Sequence, residues 1–164
     1  MDSIETERAW HNYNFYDRDV LIDNITIERI WQDNDFFEIK VMGSSDVITA
    51  HTRTYTTDEG IDGLASIIEG FINGLTECLW ENGSKNTPGM GYVSFEFIRK
   101  DELGHIQLKV YMGLFDGRIN GNNYCCFILE TELGLLESFS KNLEIIKKRQ
   151  IGNKITLNPV VTEA

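Results

Sequence analysis

Proline is nearly missing from this 164-residue chain, with Pro88 and Pro159 the two instances. There is no low-complexity run either, so extended disorder is not expected. Cysteine is scarce: Cys78 stands alone, and the adjacent Cys125 and Cys126 face opposite sides of a strand. That arrangement offers neither a metal clamp nor a disulfide framework, and reduced cysteines are expected. No window approaches the ~18 consecutive apolar residues of a membrane span, and the acidic start MDSIETERAW lacks the apolar core of a secretory signal. A cytoplasmic protein without a membrane partner is the expectation.

The motifs of familiar chemistry are absent too. There is no His-Glu-x-x-His, Cys-x-x-Cys or EF-hand loop, and Asp33-Asn34-Asp35 lacks the later Gly and Glu of a calcium loop. Gly89-Met90-Gly91 precedes a strand rather than a helix, so no helix N-terminus receives a phosphate there. No Gly-x-Ser-x-Gly elbow occurs, and nothing sets a distance between carboxylates such as Glu96 and Glu130. No catalytic residue, metal or cofactor is assigned, and the chain reads as a non-enzyme.

Positive charge is in short supply. Lys and Arg number 15 against 26 Asp and Glu, a net −11. The excess is graded: residues 1–60 carry 13 acidic and 5 basic side chains, 61–122 carry 8 and 5, and 123–164 carry 5 and 5. An acidic field of this kind repels nucleic acid and attracts basic proteins. Phe95, Phe97 and Tyr111 therefore read as core residues rather than a base-stacking platform.

What is present indicates an α+β fold: a single domain over 1–164, with a twisted antiparallel sheet of about six strands and two helices packed on one face. Residues 1–18 form an N-terminal aromatic and acidic segment, with His11 among Trp10, Tyr13, Phe15 and Tyr16 as a flap. Strand patterns run over Asp19–Gln32, Phe36–Met42 and Val47–Thr57, with a hairpin turn at Gly43–Asp46. Ile61, Leu64, Ala65, Ile68, Phe71, Ile72 and Leu75 recur at helical spacing behind a capping box from Thr56 to Glu59. The glycines within this segment would let the helix lie close against the sheet. Trp80–Gly91 reads as a loop. Tyr92–Lys100 and His105–Phe115 form a hairpin, and a strand over Tyr124–Glu130 follows the turn Asp116–Asn123. Thr131 caps a second helix with the stripe Leu135, Leu136, Phe139, Leu143 and Ile146, and Lys147-Lys148-Arg149 complement its dipole. The tail 151–164 has two readings, an edge strand at Lys154–Leu157 or a flexible end.

Three groupings carry the candidate chemistry. His51, Arg53 and Tyr55 share a strand face with Thr49, either a solvated row or a small-anion site with His51 as acid or base. His105 stands within reach of Asp101 or Glu102. Most of the acid lies on the first strands and turns, at Asp17, Asp19, Asp23, Asp33, Asp35, Glu38 and Asp46, interleaved with aromatics that include Trp31 and Phe36. This is either a solvated face over core aromatics or a docking surface of rigid anchors steered by charge. As a docking surface, its partner-binding residues are those seven acids together with Trp31 and Phe36.

The stretch GYVSFEFIRKDELGHIQLKVYMGL…YCCFILETELGLLESFSKNLEII, Gly91–Ile146, resembles small acidic bacterial immunity proteins of contact-dependent and polymorphic toxin systems. A strand beginning Gly-His, and a later strand running into an amphipathic helix, recur in families found beside such toxins. The resemblance implies a cytosolic inhibitor whose partner is a cognate toxin domain, a basic protein such as a nuclease. The alternative is a small-ligand-binding or enzymatic α+β domain using the His51/Arg53/Tyr55 row.

Overall fold

A computed structural model describes residues 23–76, 78–87, 90–114 and 123–158. The expected segment 1–18 with its aromatic flap, Asp17, Asp19 and the turn from 116 to 122 lie outside these residues. The α+β class holds, with eight described strands in two antiparallel sheets in place of one sheet of about six. One sheet has the order β3-β2-β1-β8, from β1 (Asn24–Gln32), β2 (Phe37–Ser44), β3 (Thr49–Thr56) and β8 (Lys154–Leu157). The other runs β4-β5-β6-β7, from β4 (Cys78–Gly83), β5 (Tyr92–Arg99), β6 (His105–Leu114) and β7 (Asn123–Glu132). Helix α1 (Asp58–Ile72) joins the sheets, and α2 (Leu133–Lys147) returns the chain to β8, which pairs with β1 as an edge strand.

Period-2 patterning decides which side chains face inward. Along β3, Ala50, Thr52, Thr54 and Thr56 are buried while Thr49, His51, Arg53 and Tyr55 point out. Along β6, Ile106, Leu108, Val110 and Met112 alternate in the same way. The inner faces of both sheets and the stripes Ile61/Leu64/Ile68/Phe71 of α1 and Leu136/Phe139/Leu143/Ile146 of α2 join in one apolar cluster. The sheets meet along β3, which lies against β4, β5 and β6. The helices pack on each other, with α1 on β4 and α2 on β8. Lys147 fastens the helix pair through Asp62 at 2.8 Å, a pairing that raises its pKa above the ordinary lysine value.

Several expected details shift. Trp80–Gly83 belongs to β4, not to a loop: Trp80 is buried against Phe95 with ring centroids 5.2 Å apart, and its indole N–H donates to Gly60 O. Thr57, not Thr56, caps α1, accepting the Gly60 N–H at 3.2 Å, because Thr56 is already the last residue of β3. Leu75 lies beyond the helix, which turns out at Gly74 with φ 105°. Among the interior glycines of α1, Gly60 abuts Thr56 of β3, Gly70 abuts Leu75 beyond the helix and Gly63 faces open space, so Gly60 alone of the three serves close approach to the sheet. Thr131 does not cap α2. It is a buried residue of β7 whose hydroxyl donates to Asn158 Oδ1 at 2.6 Å, and the cap position falls to Glu132 without a side-chain bond. Leu135 of the expected stripe is exposed. Phe95 and Phe97 are core residues as expected, whereas Tyr111 lies on the outer face between Tyr92 and Tyr124.

Candidate functional site

Regular alternation along β1 (Ile25, Ile27 and Arg29 inward) would bury Trp31. A bulge between Arg29 and Trp31 adds one residue to the strand, so Trp31 pairs with outward-facing Glu38 while Arg29 pairs with Ile39. One extra residue reverses the side on which a side chain emerges. Trp31 therefore stands on the outer face, 43% exposed. Tyr55, on the other flank of Glu38 across the β2–β3 pairing, is 49% exposed, and Phe36 at the β1–β2 turn is 39% exposed. Their ring centroids lie 5.9 Å (Trp31–Phe36), 5.9 Å (Trp31–Tyr55) and 5.3 Å (Phe36–Tyr55) apart, the Tyr55 contacts edge-on. Three large aromatics thus support one another in solvent around one carboxylate.

The turn presenting Phe36 is held from both sides. Asp33 Oδ1 accepts the backbone N–H groups of Asp35 and Phe36 at 2.8 and 2.9 Å, an Asx turn. These bonds, that of Phe36 foremost, hold the Asp33 carboxyl below the ordinary carboxylate range. Arg149, just after α2, donates to Asp33 O at 3.1 Å. Arg29 is 3% exposed beneath the turn, its guanidinium 3.8 Å from the Phe37 ring centroid. It donates to Gln32 Oε1 at 2.8 Å and to Ile146 O, at the negative end of α2, at 2.9 Å. Burial pulls the Arg29 pKa down, with Asp58 opposing.

Two hollows flank this ridge. A polar one of about 210 Å³ is lined by the turn, the start of α1 and Arg149. Asp33, Asp35, Asp58 and Glu59 there face Arg29 and Arg149, a net −2. The second, about 230 Å³, is lined by Trp31, Tyr55, Met90 and Gly91 with Glu38 and Arg53. Phe36 lines the first and touches the rings that line the second.

The structure gathers Trp31, Asp33, Asp35, Phe36 and Glu38 at one end of the first sheet. Asp23 and Asp46 are at the other end, about 23 Å away over seven residue steps of β2. Asp46 sits in the β2–β3 turn, and Asp23 accepts the Glu130 N–H, a structural duty. They are corrections to a single contiguous acidic surface. Tyr55, Asp58, Glu59, Met90 and Arg149 belong to the site and were not grouped with it by sequence. Glu59 reads there as the far end of a capping box, and Arg149 as a dipole complement.

The His51/Arg53/Tyr55 row does share one outer face, but His51 does not line the hollow that its row-mates line. His105 pairs with Asp101, Nδ1 to Oδ2 2.6 Å, an exposed turn contact that lowers the Asp101 pKa. Among the described residues no cluster of three or more His, Cys, Asp or Glu is arranged to hold a metal ion, and no helix is long and apolar enough to cross a membrane. No protein-family model, curated protein sequence or solved structure matches the chain.

Proposed function

We propose that this chain is a protein-binding module, an immunity protein that occupies the groove of a cognate basic toxin, a nuclease, and so neutralises it in the cytosol. The observation carrying this reading is the exposed Trp31/Phe36/Tyr55 triad ringed by Asp33, Asp35, Glu38, Asp58 and Glu59. Exposed, mutually braced aromatics bury area on contact while losing little side-chain entropy, and surrounding acid steers a basic partner. The overall charge of −11 extends that steering beyond the contact.

The test is to look for a basic toxin domain in the neighbouring reading frame and to measure binding and growth rescue against it. Association slows steeply between low and high salt, whereas Phe36→Ala and Tyr55→Ala raise the dissociation rate and abolish rescue. An association rate indifferent to salt, with both variants fully protective, refutes the reading. The alternative of a small-ligand site at His51, Arg53 and Tyr55 is weakened by His51 standing outside the hollow. A ligand-induced rise in melting temperature, lost in His51→Ala, would favour it instead.

A further inference from the structure

The two hollows differ in chemistry, and the difference specifies the partner's contact residues. One is polar with four carboxylates against two guanidiniums. The excess of carboxylates over guanidiniums attracts a cation and repels an anion. The other has a single carboxylate and a single guanidinium, with the rings of Trp31 and Tyr55 and the Met90 thioether as walls. There the electrostatic preference is small, and burial of apolar area decides. Phe36 separates them and touches both sides, and its turn is fixed by the Asp33 Asx bonds and by Arg149. The ridge is therefore preorganised, which lowers the ordering cost of binding.

We infer that the site is bipartite, taking an arginine of a basic protein partner in the hollow between the β1–β2 turn and α1, and an adjoining aromatic side chain in the Trp31/Tyr55/Met90 hollow, across the Phe36 ridge. This rests on the docking reading above and names its chemistry. Guanidinium is preferred to ammonium because its planar fork bridges separated carboxylates such as Asp35 and Glu59 and stacks on an aromatic face such as Phe36.

Amide-resolved NMR titration of the full chain with small probes tests it. N-acetyl-arginine methylamide shifts Asp35, Phe36, Asp58 and Glu59 saturably. The citrulline counterpart, of equal shape without charge, does not, and about 0.5 M salt, with a Debye length of ~4 Å, erases the effect. Glu59→Gln weakens this probe alone. A p-cresol probe shifts the Trp31 indole, Tyr55 and Gly91 irrespective of salt, and Tyr55→Ala removes it. An Arg-Tyr dipeptide amide binds roughly tenfold or more tighter than either fragment, since the second contact becomes intramolecular.

Arginine shifts scattered over remote acids such as Asp46 and Glu102, equal response to citrulline, or absence of saturable cresol shifts overturns the bipartite site. If those results appear while the basic toxin still binds through the triad, the docking reading survives without it. If the probes bind as described and no basic protein binds, the site stands and the immunity reading fails.

Discussion

Asn158 holds the two sheets together at the end remote from the aromatic triad. Its side-chain amide donates to Asp23 O and to Glu130 O, each at 2.7 Å, and its Oδ1 accepts the Thr131 hydroxyl at 2.6 Å. The residue before β1, the end of β7 and the end of β8 thus share one amide. Its backbone sits at φ 55°, a region that Asn tolerates and Ala resists by ~1 kcal/mol. Each bond contributes about 1 kcal/mol net, more for the buried Thr131 hydroxyl left unsatisfied. Asn158→Gly should therefore cost about 3 kcal/mol and Asn158→Ala about 4 kcal/mol. For a chain of this size the Ala variant melts about 8–16 °C lower. Urea unfolding followed by tryptophan fluorescence gives the free energies, with the denaturant slope unchanged. Thr131→Val should cost about 1 kcal/mol in the wild type and almost nothing in Asn158→Gly, since its partner is already gone. A loss below about 1 kcal/mol in Asn158→Ala, or additive costs for the pair, refutes the latch.

Burial, then the Glu81 carboxylate accepting its hydroxyl at 2.6 Å, pushes the Tyr92 phenol up to about 12. The raised value means that the folded state keeps this proton longer than the unfolded chain, which releases it near pH 10. The stabilisation is complete below pH 10 and is lost as pH rises toward 12. Burial also raises the Tyr111 phenol, so phenolate absorbance should lose part of its late-titrating component in Tyr92→Phe; an unchanged titration curve in that variant contradicts the assignment. At Gly91 an added Cβ would overlap the Arg53 carbonyl oxygen, so Gly91→Ala must separate β3 from the start of β5 at a cost of about 3 kcal/mol or more. Chemical denaturation measures it, and a neutral result means that the sheets do not meet so closely there.

How much of this was legible in sequence depended on whether local pattern or long-range geometry set the feature. The hairpin of β5 and β6 and the inward rows of β2 and β3 follow from alternation alone. The apolar stripes of both helices are likewise legible, Leu75 and Leu135 excepted. Strand β4 was hidden because six residues ending Glu81-Asn82-Gly83 resemble a loop, and only pairing with β5 makes Cys78 and Trp80 an inward row. The division into two sheets was equally invisible, since antiparallel strands carry no mark of which sheet they join. At the site, the acids and aromatics of the β1–β2 region were recognisable as types. Their grouping was not, because the bulge that turns Trp31 outward has no residue signature, and Asp58, Glu59 and Arg149 arrive from other elements.

The same geometry separates the site from the stability of the fold. Trp31, Phe36 and Tyr55 keep roughly two-fifths to half of their surface in solvent, so they contribute less to the core than Phe37, Phe71 or Phe95 do. Arg29 works in the opposite sense: it is buried, ties β1 to the end of α2, and supports the turn from below. Removing it leaves the Ile146 carbonyl without this donor and the Phe37 face without its cation. The turn's own anchors, the Asp33 Asx bonds and the Arg149 contact, act independently of the ring contacts. Exposed rings on a scaffold braced from behind are the arrangement in which binding energy can change without unfolding. Truncating a triad residue should therefore act on a partner's dissociation far more than on the melting temperature, whereas truncating Arg29 should lower both stability and binding.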